Sequence, residues 1–152
     1  MLEVKLTEGG WFEGLPASQS GVLQQLLADG STEEQVAELW LSTPGAASTA
    51  GFGAMGAIQS FYHNVKREFV AFACGDARYE DERAQALQIW KDQGKVGLVS
   101  MVAAIVASTV GLAAAAVVPV IALLFSLVAK VGLNAFCASC APAADGATAP
   151  PA

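Results

Sequence analysis

The chain has 152 residues, of which 54% are hydrophobic and only 14% are charged, and its formal net charge is −6. Soluble domains usually carry roughly 25% charged residues, so this composition argues against an ordinary soluble domain. The acidic balance also argues against non-specific binding to nucleic-acid phosphates, which depends on Lys and Arg. Residues 96–152 contain only two charged residues, Lys130 and Asp145. The sequence therefore divides into an acidic N-terminal part and an apolar C-terminal part.

The start of the chain alternates apolar and polar residues from Leu2 to Leu6, which predicts a short, isolated strand. The same stretch lacks the basic and then apolar segments of a secretory signal. We therefore expect the N-terminal part to remain in the cytosol.

Two short amphipathic helices are predicted next. The first lies within residues 18–28 and ends at an Asp-Gly pair. The second has Ser31 as its N-cap, and Glu34 completes a capping box three residues later. This helix ends before Pro44, so the two helices form a helical hairpin.

The Gly-, Ala- and Ser-rich stretch 46–56 contains a formal G-x-G-x-x-G at Gly51–Gly56. A dinucleotide-binding turn requires a strand before this motif and a βαβ unit around it. Neither is predicted, so close packing of small residues is the better interpretation, and we expect no cofactor.

The remaining polar part predicts two longer helices, Ile58–Ala73 and Ala77–Gln93, the second capped by Asp76. His63 is the sole histidine, so no metal site is expected. Three cysteines without a secretory signal do not suggest a disulfide framework. Cys74 is therefore interpreted as a small buried apolar residue.

The stretch Val96–Ala129 contains no charged residue and is long enough to predict transmembrane structure. A single crossing would need a tilt outside the usual range. We therefore predict an all-α fold in which a transmembrane hairpin, with segments near 96–113 and 118–138 and a bend near Leu112–Pro119, follows a cytosolic helical domain. One kinked span is the alternative. Pro119 would lie in the first turn of the second helix, where its missing N–H costs nothing.

The predicted organisation is a cytosolic domain at 1–95, the hairpin at 96–138 and a flexible Pro/Ala-rich tail at 139–152. Basic residues before the first span keep the N-terminal domain on the cytoplasmic side; they are Arg78, Arg83, Lys91 and Lys95. The helices of the N-terminal domain are too few and too short to cover the apolar segment. Lipid is therefore its expected solvent.

Small residues recur at every fourth position of the first span, which predicts close helix packing; they are Ala103, Ala107, Gly111 and Ala115. A second set of polar residues could line a pore or an interface: Ser100, Ser108, Thr109, Ser126 and Lys130. Lys130 could instead extend to the headgroups. Two short spans provide little surface, so a homo-oligomer is expected.

The apolar part ends in Cys137-Ala-Ser-Cys140. A redox motif would need a thioredoxin-like setting and a zinc site would need a second cysteine pair. Palmitoylation of juxtamembrane cysteines is the remaining chemical option.

No paired acid and base, activated nucleophile or metal cluster is evident, so we do not expect an enzyme. The layout of a small helical domain, an Ala/Val/Leu-rich segment and the closing KVGLNAFC (Lys130–Cys137) resembles the compact transmembrane effectors of bacterial antiviral defence operons. This resemblance implies an oligomeric channel or pore in the inner membrane, gated by a cytosolic regulatory protein or a nucleotide signal. The alternatives are a membrane-tethered adaptor and a soluble oligomer that buries the apolar segment.

Overall fold

The computed structural model describes Leu2, residues 5–42 and residues 55–144. Over these residues the fold is all-α, as predicted, and it contains no strand. The described elements are α1 (Ala17–Ala28), α2 (Glu33–Ser42), α3 (Met55–Cys74), a 3₁₀ turn (Ala77–Tyr79), α4 (Glu80–Val110), α5 (Ala114–Val131) and α6 (Leu133–Ala144).

The predicted strand at the start of the chain is wrong for the residues that are described. Leu2 is buried, and its amide donates to the carbonyl of Ala73 at the end of α3 (2.8 Å) rather than to another strand. The G-x-G-x-x-G stretch lies mostly outside the described residues, and its last residue, Gly56, lies in the first turn of α3.

The capping box of α2 lies one residue later than predicted. The amide of Gln35 donates to Thr32 Oγ1 (3.1 Å), and the amide of Thr32 donates to Gln35 Oε1 (2.9 Å). These are the two reciprocal bonds of a capping box. The shift leaves the side chains of Glu33 and Glu34 available for contacts with other helices.

Helix α4 contains a break that separates its polar half from its apolar half. Gly94 has φ 66° and ψ −149°, a backbone conformation that is not helical. The break lies next to the predicted domain boundary at residue 95. The predicted cap before the polar half is confirmed, because Asp76 Oδ1 accepts a bond from the amide of Arg78 (2.8 Å).

Helix α5 is the central helix of the structure. It packs against α2, α3, α4 and α6. Every residue from Pro119 to Phe125 is buried, so all faces of this stretch are covered by protein. The expectation that the N-terminal helices cannot cover the apolar segment is therefore wrong for the middle of α5.

Aromatic side chains connect α5 to three other parts of the chain. The ring of Phe125 stacks on Trp11 of the N-terminal segment (5.0 Å between centroids) and meets the edge of Phe69 in α3 (5.0 Å). Phe69 in turn contacts Phe136 in α6 (5.9 Å). Aromatic pairs of this kind stabilise a core beyond the area they bury.

The second predicted span and the predicted tail need correction. Instead of one helix over 118–138, α5 ends at Val131, because Gly132 has φ 92° and ψ 141°. Helix α6 follows and packs against α3 and α5. It extends to Ala144, so residues 139–144 are helical rather than a flexible tail.

Candidate membrane-active hairpin

The apolar half of α4 and the whole of α5 form an antiparallel pair, which we call the apolar hairpin (residues 95–131). The stretches Ala77–Val110 and Ala114–Val131 are long and apolar enough to cross a bilayer. Length and composition alone are weak evidence, since the core helix of a soluble protein meets the same criteria. In the most apolar 18-residue segment of each stretch, the protein buries 39% of the segment in the first stretch and 50% in the second.

The turn of the hairpin lies at Gly111–Ala113, slightly before the predicted bend. Gly111 has φ 81°, a left-handed conformation that ends helices at low cost only for glycine. The amides of Gly111 and Leu112 both donate to the carbonyl of Ala107 (2.9 and 3.1 Å). The glycine thus forms the turn without any polar side chain.

Pro119 does not lie in the first turn of α5. The helix begins at Ala114, so Pro119 falls in its second turn. A proline at that position has no N–H for the carbonyl of Ala115. The predicted role of Pro119 as a helix-starting residue is therefore wrong.

The predicted stripe of small residues is divided among three environments. Ala103 and Ala107 are buried within the chain, while Gly111 forms the turn and Ala115 is exposed in the first turn of α5. A Cβ atom at Gly111 would meet nothing within 4 Å. Gly111 therefore does not mark a close approach of two helices in this structure.

Lys130 forms an ion pair that joins the hairpin to α2. Its Nζ lies 2.7 Å from Glu33 Oε2, and the Glu33 side chain is only 4% exposed. Glu33 is the first residue of α2 and Lys130 lies in the last turn of α5, so each charge suits the helix end it occupies. The sequence predicted either a headgroup contact or a pore position for Lys130. In this structure Lys130 instead pairs with the buried carboxylate of Glu33.

The other predicted polar residues do not form one lining. Ser100 and Ser108 are on the exposed face of α4, and Ser126 is half-buried in α5. Ser100 borders a small cleft with Trp11 and Val118. In this structure these three serines therefore do not line a continuous polar path.

Thr109 belongs to a polar cluster near the hairpin turn. Its hydroxyl donates to the carbonyl of Ile105 (3.1 Å) and lies 3.4 Å from the hydroxyl of Tyr79. Tyr79 donates to the buried carboxylate of Glu68 (2.6 Å), which Arg78 also approaches (3.4 Å). The cluster connects α3, the 3₁₀ turn and α4 close to the tip of the hairpin.

A second polar cluster holds α2 against α3. Glu34 Oε2 accepts bonds from the hydroxyl of Tyr62 (2.6 Å) and from Lys66 Nζ (2.5 Å). Burial would raise the pKa of Glu34, but the hydrogen bonds from Lys66 and Tyr62 together with the nearby positive charge of Lys66 outweigh it and lower the pKa below its ordinary value. Glu34 therefore stays ionised and holds α2 against α3.

A disulfide between Cys74 and Cys137 joins the end of α3 to α6, with the Cα atoms 5.6 Å apart. The expectation that the cysteines form no disulfide, and that Cys74 is only a small apolar residue, is therefore wrong. Cys140 carries a free thiol. Cysteine number and spacing do not determine connectivity, because pairing depends on how the helices pack.

Glu33 and Glu68 were missed for a similar reason. Both are acidic residues in charged stretches, which usually indicate a solvated surface, yet both are buried. One sequence signal could have indicated Glu33, since a lone Lys in an apolar segment needs a partner.

Comparison of the chain with family models, curated proteins and solved structures finds no match.

Proposed function

We propose that the chain is an oligomeric membrane effector that forms a channel or pore when its apolar hairpin inserts into a bilayer. The observation that carries this proposal is the pairing, across a three-residue turn, of two consecutive apolar helical segments that belong to stretches long and apolar enough to cross a bilayer. The N-terminal helices cover the hairpin in the packed form, and they gate the effector by releasing it.

The charge distribution along the hairpin supports insertion from one side. The exposed tip, Gly111 and Ala113–Ala115, carries no charge and could enter hydrocarbon without the cost of moving an ion. Lys95 and Lys130 lie at the opposite end, where the apolar stretch begins and ends. Lysines at that end favour retention of the base on the cytoplasmic side.

The proposed location is the bacterial inner membrane, with α1–α3 in the cytoplasm. A homo-oligomer follows from the small surface that two spans provide for a conducting path. The layout shared with compact antiviral defence effectors supports a cytosolic regulatory protein or a nucleotide signal as the trigger.

A soluble helical protein that keeps α5 as its core is the second candidate. The complete burial of Pro119–Phe125 favours it, because a helix that is apolar on all faces is either a core helix or a span. In this case the exposed face of α4 would associate with other copies.

Liposome flotation combined with dye leakage separates these functions. The full chain is mixed with vesicles of phosphatidylethanolamine and phosphatidylglycerol that contain a quenched dye. We expect flotation with leakage. Flotation without leakage would identify a membrane-tethered adaptor, and a chain that neither floats nor releases dye would be the soluble protein.

A further inference from the structure

The disulfide connects two helices that lie on either side of the hairpin in the chain. Cys74 is the last residue of α3, and Cys137 lies in the second turn of α6. Helix α6 follows α5 after the single residue Gly132. The bond therefore attaches the C-terminal end of α5 to the N-terminal helices by a short covalent path.

The length of this path limits how far α5 can move. Six Cα–Cα steps join Val131 to Cys137 and reach at most about 21 Å when fully extended, at roughly 3.5 Å per step, and the Cα atoms of the disulfide are a further 5.6 Å apart. Helix α5, with 18 residues, is about 27 Å long at 1.5 Å per residue. While α6 stays helical, the bond therefore holds the C-terminal end of α5 close to the end of α3, and that end could move by about the length of α5 only if the start of α6 unwound.

Non-covalent contacts also hold this end of the hairpin, where α5 and α6 pack against α2 and α3. Phe136 meets Phe69 edge to face, and Lys130, whose side chain is 52% exposed, pairs with Glu33. Because Lys130 is half-exposed, water partly screens its pair with the buried Glu33, and the pair stabilises this end less than a fully buried pair would. The disulfide is the covalent restraint at this end, in addition to the packing of α5.

We propose that Cys74–Cys137 is a thiol–disulfide exchange site whose reduction by a dithiol releases the hairpin. One thiolate of the dithiol attacks Cys74, which is more exposed than the buried Cys137, and the Cys137 thiolate leaves. The second thiol of the dithiol then attacks the mixed disulfide and frees Cys74. Two electrons and two protons pass to the protein, which gains two thiols, and the dithiol becomes a disulfide.

This inference rests on the proposed insertion of the hairpin and specifies its control. Disulfides in cytosolic proteins are usually transient and redox-sensing rather than structural. A bond that restrains a membrane-active segment on the cytoplasmic side would fit that role.

The test compares oxidised and reduced full-length chain. Hydrogen exchange is measured by mass spectrometry with and without dithiothreitol, and dye leakage is measured on the same vesicles as above. We expect reduction to raise exchange in α6 and the last turns of α5 by at least about tenfold, given the usual effect of losing a disulfide. Exchange in α1–α3 should change much less, and leakage should begin.

Two variants provide matched controls. Cys74→Ser should exchange and leak without dithiothreitol, whereas Cys140→Ser, which removes the free thiol of the same helix, should behave like the wild type. Circular dichroism shows whether each variant folds, and if Cys74→Ser does not fold, the wild-type comparison decides.

Unchanged exchange on reduction would overturn the proposal, as would a uniform rise in all helices, which indicates an ordinary structural bond. Local release without leakage in any state would support the exchange site and contradict the channel function. Leakage that does not depend on dithiothreitol would support the function and contradict redox control.

Discussion

The two helices of the apolar hairpin are similar in apolar composition but differ in environment. Helix α5 is covered on every face from Pro119 to Phe125, whereas the apolar half of α4 leaves Ser100, Ala104 and Ser108 exposed. Both are apolar enough to cross a bilayer. Hydropathy thus indicates which segments avoid water, and the packing shows which of them the protein itself already covers.

The largest loss of stability is expected when a buried side chain of α5 is removed and leaves a cavity. Phe125→Ala removes a fully buried ring that contacts Trp11 and Phe69, and it should lower the free energy of unfolding by about 3 to 5 kcal/mol. Val131→Ala, at a position 48% exposed in the same helix, should change it by less than about 0.5 kcal/mol. Urea denaturation measures both. Similar losses in the two variants would contradict the assigned core.

The same substitution in each helix sharpens the comparison. Ala122→Leu in α5 adds volume to a fully buried site and should cost about 1 to 3 kcal/mol. Ala104→Leu on the exposed face of α4 should be nearly neutral in water. Thermal unfolding of both variants provides the measurement. A larger cost for Ala104→Leu would show that this face of α4 is already covered, for example by a second copy.

Loss of the ion pair between the hairpin and α2 should have an effect no larger than that of Ala122→Leu. Lys130→Met leaves the Glu33 carboxylate buried without its partner and should cost about 1 to 3 kcal/mol. Adding Glu33→Gln to this variant should recover part of the loss, because the unpaired charge is removed. A double-mutant cycle with no coupling would show that the pair does not hold α2 on α5.

The turn should give the smallest effect and separates two roles for Gly111. Because its φ is positive and a Cβ atom there would have open space around it, Gly111→Ala and Gly111→Leu should both cost about 1 to 2 kcal/mol through backbone strain. A packing stripe would instead tolerate Ala far better than Leu. Gly21→Ala, inside α1 with open space around it, should be stabilising by about 0.5 to 1 kcal/mol. Thermal unfolding of the three variants measures these differences.

Local patterns predicted the helices well because they depend on neighbouring residues. The 3.6-residue period and the absence of charge from Val96 to Ala129 predicted an all-α chain and its apolar hairpin. The capping box was misplaced by one residue because Ser31-x-x-Glu34 and Thr32-x-x-Gln35 both match the pattern. Only the three-dimensional contacts of Glu34 with Tyr62 and Lys66 distinguish them.

The features that hold the hairpin in place were not predictable from local sequence. The Cys74–Cys137 bond and the Lys130–Glu33 pair each join residues that are distant in the chain. Their formation depends on α2 and α3 packing against the hairpin and α6, which periodicity does not encode. Burial of Pro119–Phe125 has the same origin, because an apolar helix has the same sequence signature in a core and in lipid.

The most direct test of the account is hydrogen exchange of the reduced chain with and without liposomes. If the hairpin leaves its helical cover and inserts, exchange in α2 should rise on addition of vesicles while α5 stays protected, since lipid replaces protein around it. Unchanged exchange in both helices, with no dye released, would show that α5 remains a core helix and would contradict the account.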